Sequence, residues 1–587
     1  MRSNSIFYIL YFTFLIIRFI KARCFFFGII LAFLLPWLVY GRSLWQGFAA
    51  IDDGFLIVNN PIVHGFDFWH IKLAFTTFDP ELYIPATLMT FQLNWLMGGG
   101  TPFWFHFTNL LIQSINALLV AALLFSLSRR KGIAFVGAIL FAIHPINTEA
   151  VVWAAGRKDL LCIFFLLIAY LAYRKYSSDR KVLYFILAIS AFVLSLLAKA
   201  QAAILPAILV LDMILIQKRN DAKKMAAELL PFLALSVLFL WIASFGKEQI
   251  LASSSLYETF VMAQKSAAFY LLKLIFPSGL TVIYPYQDAI GLNEPAFFIP
   301  LLINAAIVSF AFWQRGKRPL IAFGILFFFA SLVPTFFNFH KGELMFFAVD
   351  RYAYLPGIGV ILALLLLGNG AADYFKISNV WKTSIVAAIV LMLGSVSVFQ
   401  TRVWDTPDTL FGRSLELYPE SVSARMAIGS ILRERNLLAD AFTVLHDGVS
   451  YSDHPGLNIE AGLVYSANGQ VEDARQQFQT ALKKNPKLAP ADYYLGFLEA
   501  DAGNDAGAIE WYEKAINHDP SYVTVRVHLA DLLIKQKKYD EAGDQLTEAL
   551  RWNPVSVEAL EQRVRLAEIE KDKSLNYWSL ELGKAMK

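Results

Sequence analysis

The chain has 587 residues, 57% hydrophobic, 15% aromatic and 17% charged, with a mean hydropathy of +0.51 and a formal net charge of +4. Soluble domains carry about 25% charged residues, so a wholly soluble protein is excluded. The basic excess is scattered over short loops, which excludes a nucleic-acid surface and predicts no nucleic-acid partner.

The first 23 residues are apolar and aromatic and end in Arg18, Lys21 and Arg23. They predict an interfacial helix with a cytoplasmic N-terminus; a signal peptide is the rival, but no small-residue cleavage site follows. Apolar blocks then predict about eleven spans, near 24–40, 102–127, 132–143, 160–173, 182–198, 202–216, 229–244, 295–313, 320–334, 353–367 and 386–399. Alternate loops carry Lys/Arg clusters such as Arg129-Arg130-Lys131 and Lys218-Arg219, which places those loops inside. A long first outer loop, about 41–101, mixes aromatics with turn residues, as expected of a folded loop on the membrane surface. Cys24 and Cys162 fall near opposite membrane faces, too far apart for a disulfide.

Composition changes after residue 400. Residues 401–587 hold 21 Lys and Arg against 29 Asp and Glu, a net −8, which leaves +12 for 1–400. Pro486, Pro520 and Pro554 are 34 residues apart, as are Ala481, Ala515 and Ala549. That is the tetratricopeptide period of helix pairs with small residues where helices touch. About four pairs fit between 421 and 553, with a capping helix after them. The fold class is therefore all-α, a polytopic membrane domain over 1–400 followed by a soluble helical solenoid over 401–587. Eleven spans put that solenoid on the non-cytoplasmic side, where its groove suits an acceptor protein or peptide.

Asp52-Asp53 follows the first span, and carboxylates at the membrane edge are costly enough to be functional candidates. The bland alternative is a solvated helix cap. Cations also stand on the outer side, against the topological bias: Arg157, Lys158, Lys199 and Arg351, with His144 and His340. Such a set suits a phosphate, although each residue could instead be an interfacial anchor, a local ion pair or a structural histidine. Glu149 reads as a second carboxylate or a cap. A carboxylate that removes a proton from a hydroxyl, facing cations that hold a departing phosphate, needs no general acid, unlike a glycoside hydrolase. His64, Asp67 and His70 are too loosely spaced for a metal site, and no metal ligands are assigned.

Several strings together resemble one family: Asp52-Asp53, Asn60-Pro61, Phe68-Trp69, the run from Pro85 to Asn94, His106-Phe-Thr-Asn109, His144-Pro145 through Glu149, Gly156-Arg157-Lys158-Asp159, and Asp350-Arg351-Tyr352-Ala-Tyr354-Leu-Pro356. With the repeat tail they resemble the transmembrane and tetratricopeptide-repeat-containing O-mannosyltransferases and their bacterial relatives, of the GT-C glycosyltransferase superfamily. The resemblance implies a GT-C membrane domain, a polyprenyl-phosphate sugar donor on the non-cytoplasmic side of a bacterial inner membrane, and transfer of a hexose such as mannose to a Ser/Thr hydroxyl of an exported protein. It implies Asp52 as general base with Asp53 beside it; Arg157, Lys158, Arg351, Lys199 and His144 around the donor phosphate; and Glu149, Tyr352 and His340 in acceptor-side or supporting roles. GT-C members differ in metal dependence, which stays open, and no cofactor is otherwise implied. Ile84-Pro85 departs from the Arg-Pro usual in animal members, so another cation must serve here or the donor differs. The rival readings are the same chemistry on an envelope glycolipid or polysaccharide, a non-catalytic repeat scaffold, and, weakest, a transporter, whose ionisable residues would lie mid-span.

Overall fold

The computed structural model describes residues 24–78, 82–247, 255–341 and 344–586. The interfacial helix and cytoplasmic end expected over 1–23 lie outside them. The chain forms two compact units, one of residues 1–58 and 78–410, the other of 59–77 and 411–587. The first outer loop, 41–101, is therefore divided, with its segment 59–77 grouped with the repeats.

The first unit is a bundle of apolar helices. Among the described residues six are long and apolar enough to cross a membrane: Gly28–Trp45, Pro102–Ser128, Ala222–Gly246, Pro295–Gln314, Pro356–Tyr374 and Asn379–Val403. A bent pair, Lys131–Ile143 and Pro145–Val152, makes a seventh, turned by 50°. The expected eleven crossings are thus not reproduced by length and apolarity. Val182–Ala198, Ala200–Ile216 and Pro319–Thr335 are apolar but shorter. Proline opens the helices at 85, 102, 295, 319 and 356, where its missing N–H costs nothing and its φ is already helical. At the other ends, Arg129 and Arg180 take the left-handed conformation, φ 56° each. Glycine would do this at less cost, but a cation there meets the negative end of the helix dipole.

The polar stretch 246–294 contains a helix the sequence did not single out, Leu256–Ile275. Ser255 and Glu258 close a reciprocal capping box at its start. It buries Val261, Met262, Ser266 and Tyr270. Beside it lies a small antiparallel sheet in the order β1 (Tyr284–Pro285), β3 (Leu344–Ala348), β2 (His340–Lys341), with Tyr284 opposite Ala348 and His340 opposite Met345. Ser266 donates to the Phe347 carbonyl and Tyr270 to that of Val349, tying helix to sheet.

In the second unit, four helix pairs run through Val422–Glu434 and Leu438–Tyr451, Pro455–Ala467 and Val471–Lys484, Ala489–Asp501 and Asp505–His518, and Val523–Lys535 and Tyr539–Trp552. They occupy the expected interval. The expected capping helix is instead a fifth pair, Val557–Glu570 and Leu575–Ala585. The periodic alanines 441, 474, 508 and 542, with 481, 515 and 549, are fully buried. Gly462 shows why small residues recur: a Cβ there would lie 2.4 Å from the Phe478 ring.

Candidate active site in the first unit

The site rests on a break in helical backbone. After Lys131–Ile143 the chain passes His144, the short helix Thr148–Val152 and a tight turn at Ala154–Gly156 before the long helix Arg157–Asp179. A break inside an apolar bundle leaves carbonyls without helical partners, and they must find donors within the protein. Three amides on one face of helix Pro102–Ser128, Asn109, Gln113 and Asn116, supply them. Asn109 donates to the carbonyls of Trp153 (2.8 Å) and Val151 (3.3 Å). Gln113 reaches the carbonyl of Ala142 and Asn116 that of Leu160. Tyr354 hydroxyl joins the ladder, bonded to Gln113 and accepting from Asn116. Gly156 is required by the turn, because a Cβ there would meet the Ala150 carbonyl oxygen at 2.5 Å.

The acidic loop is fixed just as closely. Arg42 and Gln46 bond Asp405, Gln46 also reaches the Thr401 carbonyl, and His106 holds the carbonyl of Gly47. Asp53 is fully buried and accepts from the backbone N–H of Ala49 (2.8 Å) and Ala155 (2.9 Å). It therefore pins the loop to the 154–156 turn. Burial pushes its carboxyl up to about 7, with Asp52 adding to the rise, while the two N–H donors and Lys158 pull the other way. Asp52 points differently. Its side chain is 23% exposed and lies 3.5 Å from Lys158 Nζ.

Lys158 leads into a cluster of alternating charge. Its ammonium also donates to the Ala155 carbonyl and sits 4.0 Å from the Trp153 ring centroid. The Arg351 guanidinium lies over the same ring at 5.2 Å. Arg351 pairs with Glu149 through both its backbone N–H and its side chain. Burial works against its charge, but Glu149, Tyr352, Asp159 and Asp52 together raise its pKa. Lys199 pairs with Asp159 at 2.5 Å and stands 5.5 Å from the Tyr352 ring centroid, which Arg351 also faces. Lys158 is within electrostatic reach of Asp52, Arg351, Asp159 and Lys199. The three cationic side chains are 4, 18 and 16% exposed for Lys158, Arg351 and Lys199. Arg351 Nε and Trp153 Nε1 are buried donors with no acceptor among the described residues. Such groups are rare in a folded interior.

The structure thus brings together Asp52, Asp53, Lys158, Glu149, Lys199, Arg351 and Tyr352. Two cations of the expected set are committed elsewhere. Arg157 is fully buried; it bonds Asn109, Thr90 and the Phe105 carbonyl and stacks 5.2 Å from the Phe91 ring. His144 caps the turn after it through Nδ1 and meets the Leu274 carbonyl through Nε2 at 3.0 Å. Both brace the backbone break. His340 sits on β2 against the Phe339 ring, within electrostatic reach of Glu258. Trp153 and Asp159 join the cluster without having been singled out in the sequence. The signal was present in the amides at 109, 113 and 116, polar residues at helical spacing inside an apolar span. Among the described residues, no group of three His, Cys, Asp or Glu is arranged to hold a metal ion.

Residues 459–523 and 499–563 each match a tetratricopeptide-repeat family. Over 149 residues, 24% of this chain, the sequence is 40% identical to Protein O-mannosyl-transferase TMTC1 of Homo sapiens, and that match covers 17% of the relative. Longer matches run to Protein O-mannosyl-transferase TMTC4 of Homo sapiens, 23% identical over 68% of this chain, and to TMTC3 of Homo sapiens, 22% identical over 87%. The chain spans 62% of the length of each of those two. Its relatives are thus named O-mannosyltransferases, in keeping with the resemblance read from the motifs.

Proposed function

We propose that this membrane protein is a glycosyltransferase that moves a hexose, mannose by the names of its relatives, from a polyprenyl-phosphate donor to a Ser or Thr hydroxyl of a protein held near the repeats. The observation that carries this reading is the placement of Asp52, a partly exposed carboxylate facing Lys158 at the edge of a cluster that also holds Lys199 and Arg351. Asp52 takes the proton of the acceptor hydroxyl as that oxygen attacks the sugar's anomeric carbon. The bond from that carbon to the donor's phosphate oxygen breaks, and the lipid phosphate leaves with its charge. Lys158, Lys199 and Arg351 balance the charge on the leaving oxygen. Each already has a carboxylate partner, Asp52 for Lys158, Asp159 for Lys199 and Glu149 for Arg351, before the donor arrives. The buried donors Arg351 Nε and Trp153 Nε1 support an oxygen-rich ligand there. Arg157, His144 and Asn109 act as positioning residues.

The test is Asp52→Asn in purified full-length protein, with polyprenyl-phosphate mannose as donor and a Ser/Thr-rich peptide as acceptor. Loss of a general base lowers turnover roughly 10²–10⁴-fold. Wild-type turnover in the variant ends the assignment. Label appearing in lipid rather than peptide moves the acceptor to a glycolipid.

A further inference from the structure

The last apolar helix of the first unit, Asn379–Val403, ends against three parts of the site. Ser397 donates to the Ile143 carbonyl at 2.6 Å, where the helical backbone breaks. The Thr401 carbonyl, in the last turn, accepts from Gln46 Nε2 at 2.9 Å. The two residues that follow the helix, Trp404 and Asp405, reach the rest. Their N–H groups still bond the carbonyls of Thr401 and Arg402, at 3.2 and 3.1 Å, so both are held to the helix end.

Asp405 takes Arg42 in a forked contact, Nε to Oδ1 at 2.8 Å and Nη2 to Oδ2 at 2.6 Å, and also accepts from Gln46 Nε2 at 2.7 Å. Such a fork fixes direction as well as charge. Gln46 opens the stretch that ends in Asp52 and Asp53, and Asp53 pins its far end to the Ala155 N–H. Trp404 is buried, its ring stacked on Trp153 with centroids 6.4 Å apart and planes at 28°. The Trp153 ring in turn carries both Lys158, at 4.0 Å, and Arg351, at 5.2 Å. These cations repel each other; each is attracted to the ring they share. The position of that ring therefore sets where they stand.

We propose that Trp404 and Asp405 are positioning residues for separate halves of the site, an inference that rests on the reaction proposed above. Asp405, through Arg42 and Gln46, sets the loop from which Asp52 takes the acceptor proton. Trp404, through Trp153, sets Lys158 and Arg351 around the donor phosphate. Misplacing a catalytic group by about 1 Å costs up to roughly 10²-fold in rate, so a firm helix end suits this task.

The test uses purified full-length Asp405→Ala, Trp404→Leu and Trp404→Phe, with polyprenyl-phosphate mannose and a Ser/Thr-rich peptide. Initial rates are measured beside melting temperature and hydrogen exchange of the substrate-free proteins. Asp405→Ala is expected to lower kcat roughly 10–10²-fold with donor KM near wild type, and to speed exchange over 47–53 but not over 153–156. Trp404→Leu is expected to raise donor KM several-fold with kcat near wild type, to speed exchange over 153–156, and to be rescued by Trp404→Phe, which keeps a ring. Wild-type kcat and loop exchange in Asp405→Ala, or wild-type donor KM in Trp404→Leu, overturn the proposal. Equal losses of kcat and donor affinity in both variants, with the same fall in melting temperature, mean plain structural bracing and also overturn it. A wild-type chain that transfers no sugar ends the reaction itself; exchange without substrate then still decides whether the two residues hold these segments.

Discussion

Burial lifts the Asp53 carboxyl to about 7, against two backbone N–H donors and the nearby Lys158. The native state therefore holds this proton more tightly than the unfolded chain, where the ordinary value is 3.8. Stability from this group is complete below about pH 4 and declines as the pH climbs to about 7. Asp53→Asn stays neutral throughout, so it is expected to flatten that slope; thermal unfolding of both proteins at about pH 4.5 and about pH 7.5 checks it. The two arginines separate in the same manner. Arg157→Gln leaves the Asn109 and Phe105 acceptors short of a donor, at roughly 1–3 kcal/mol for each orphaned group, and is expected to lower the melting temperature. Arg351→Lys keeps the charge but loses the planar fork, and is expected to raise the donor KM with little change in melting. Calorimetry and initial-rate kinetics on the two variants distinguish bracing from binding.

Among the elements, the backbone break at 144–156 depends on its amide ladder. Gln113→Leu removes the donor that reaches the Ala142 carbonyl and the partner of Tyr354. It is expected to lower both melting temperature and turnover, and Asn116→Asp, which loses the donations to the Leu160 carbonyl and the Tyr354 hydroxyl and buries a carboxylate beside them, is expected to do the same; paired melting curves and turnover numbers test both variants. In the repeats, Gly462→Val forces side-chain atoms into the Phe478 ring, an overpacking cost of about 1–3 kcal/mol, read by far-UV melting. The repeats were legible because Pro486, Pro520 and Pro554, together with the buried alanines, print the period directly in the chain. The apolar helices were legible from hydropathy, while the expected number of crossings turns on helices such as Val182–Ala198, whose 17 residues stand at the lower end of crossing length. Helix Leu256–Ile275 escaped notice because its buried side includes Ser266 and Thr259, which interrupt the apolar pattern. In the site, Lys158, Lys199 and Arg351 stood out as cations against the topological bias. Arg157 bore the same signature, yet spends it on Asn109 and Thr90, and only tertiary contacts tell the two uses apart.

At the scale of the molecule, the alternation of basic loops predicts a sidedness that can be measured. In cells making the chain, Lys487→Cys is expected to react with a membrane-impermeant thiol reagent added from outside, and Arg130→Cys only after permeabilisation; the reverse pattern overturns the topology. The second unit is also discontinuous in sequence, because 59–77 groups with 411–587. Trp69 and its partner Glu581 are 512 residues apart. At roughly 5–20 residues per second of synthesis, the Trp69 indole waits about 25–100 s for its acceptor on Glu581. During that interval Trp69 Nε1 lacks this acceptor on a nascent protein whose early helices are already made. Ribosome-bound intermediates halted before residue 575 should therefore be the ones that recruit chaperones and proteases at this loop.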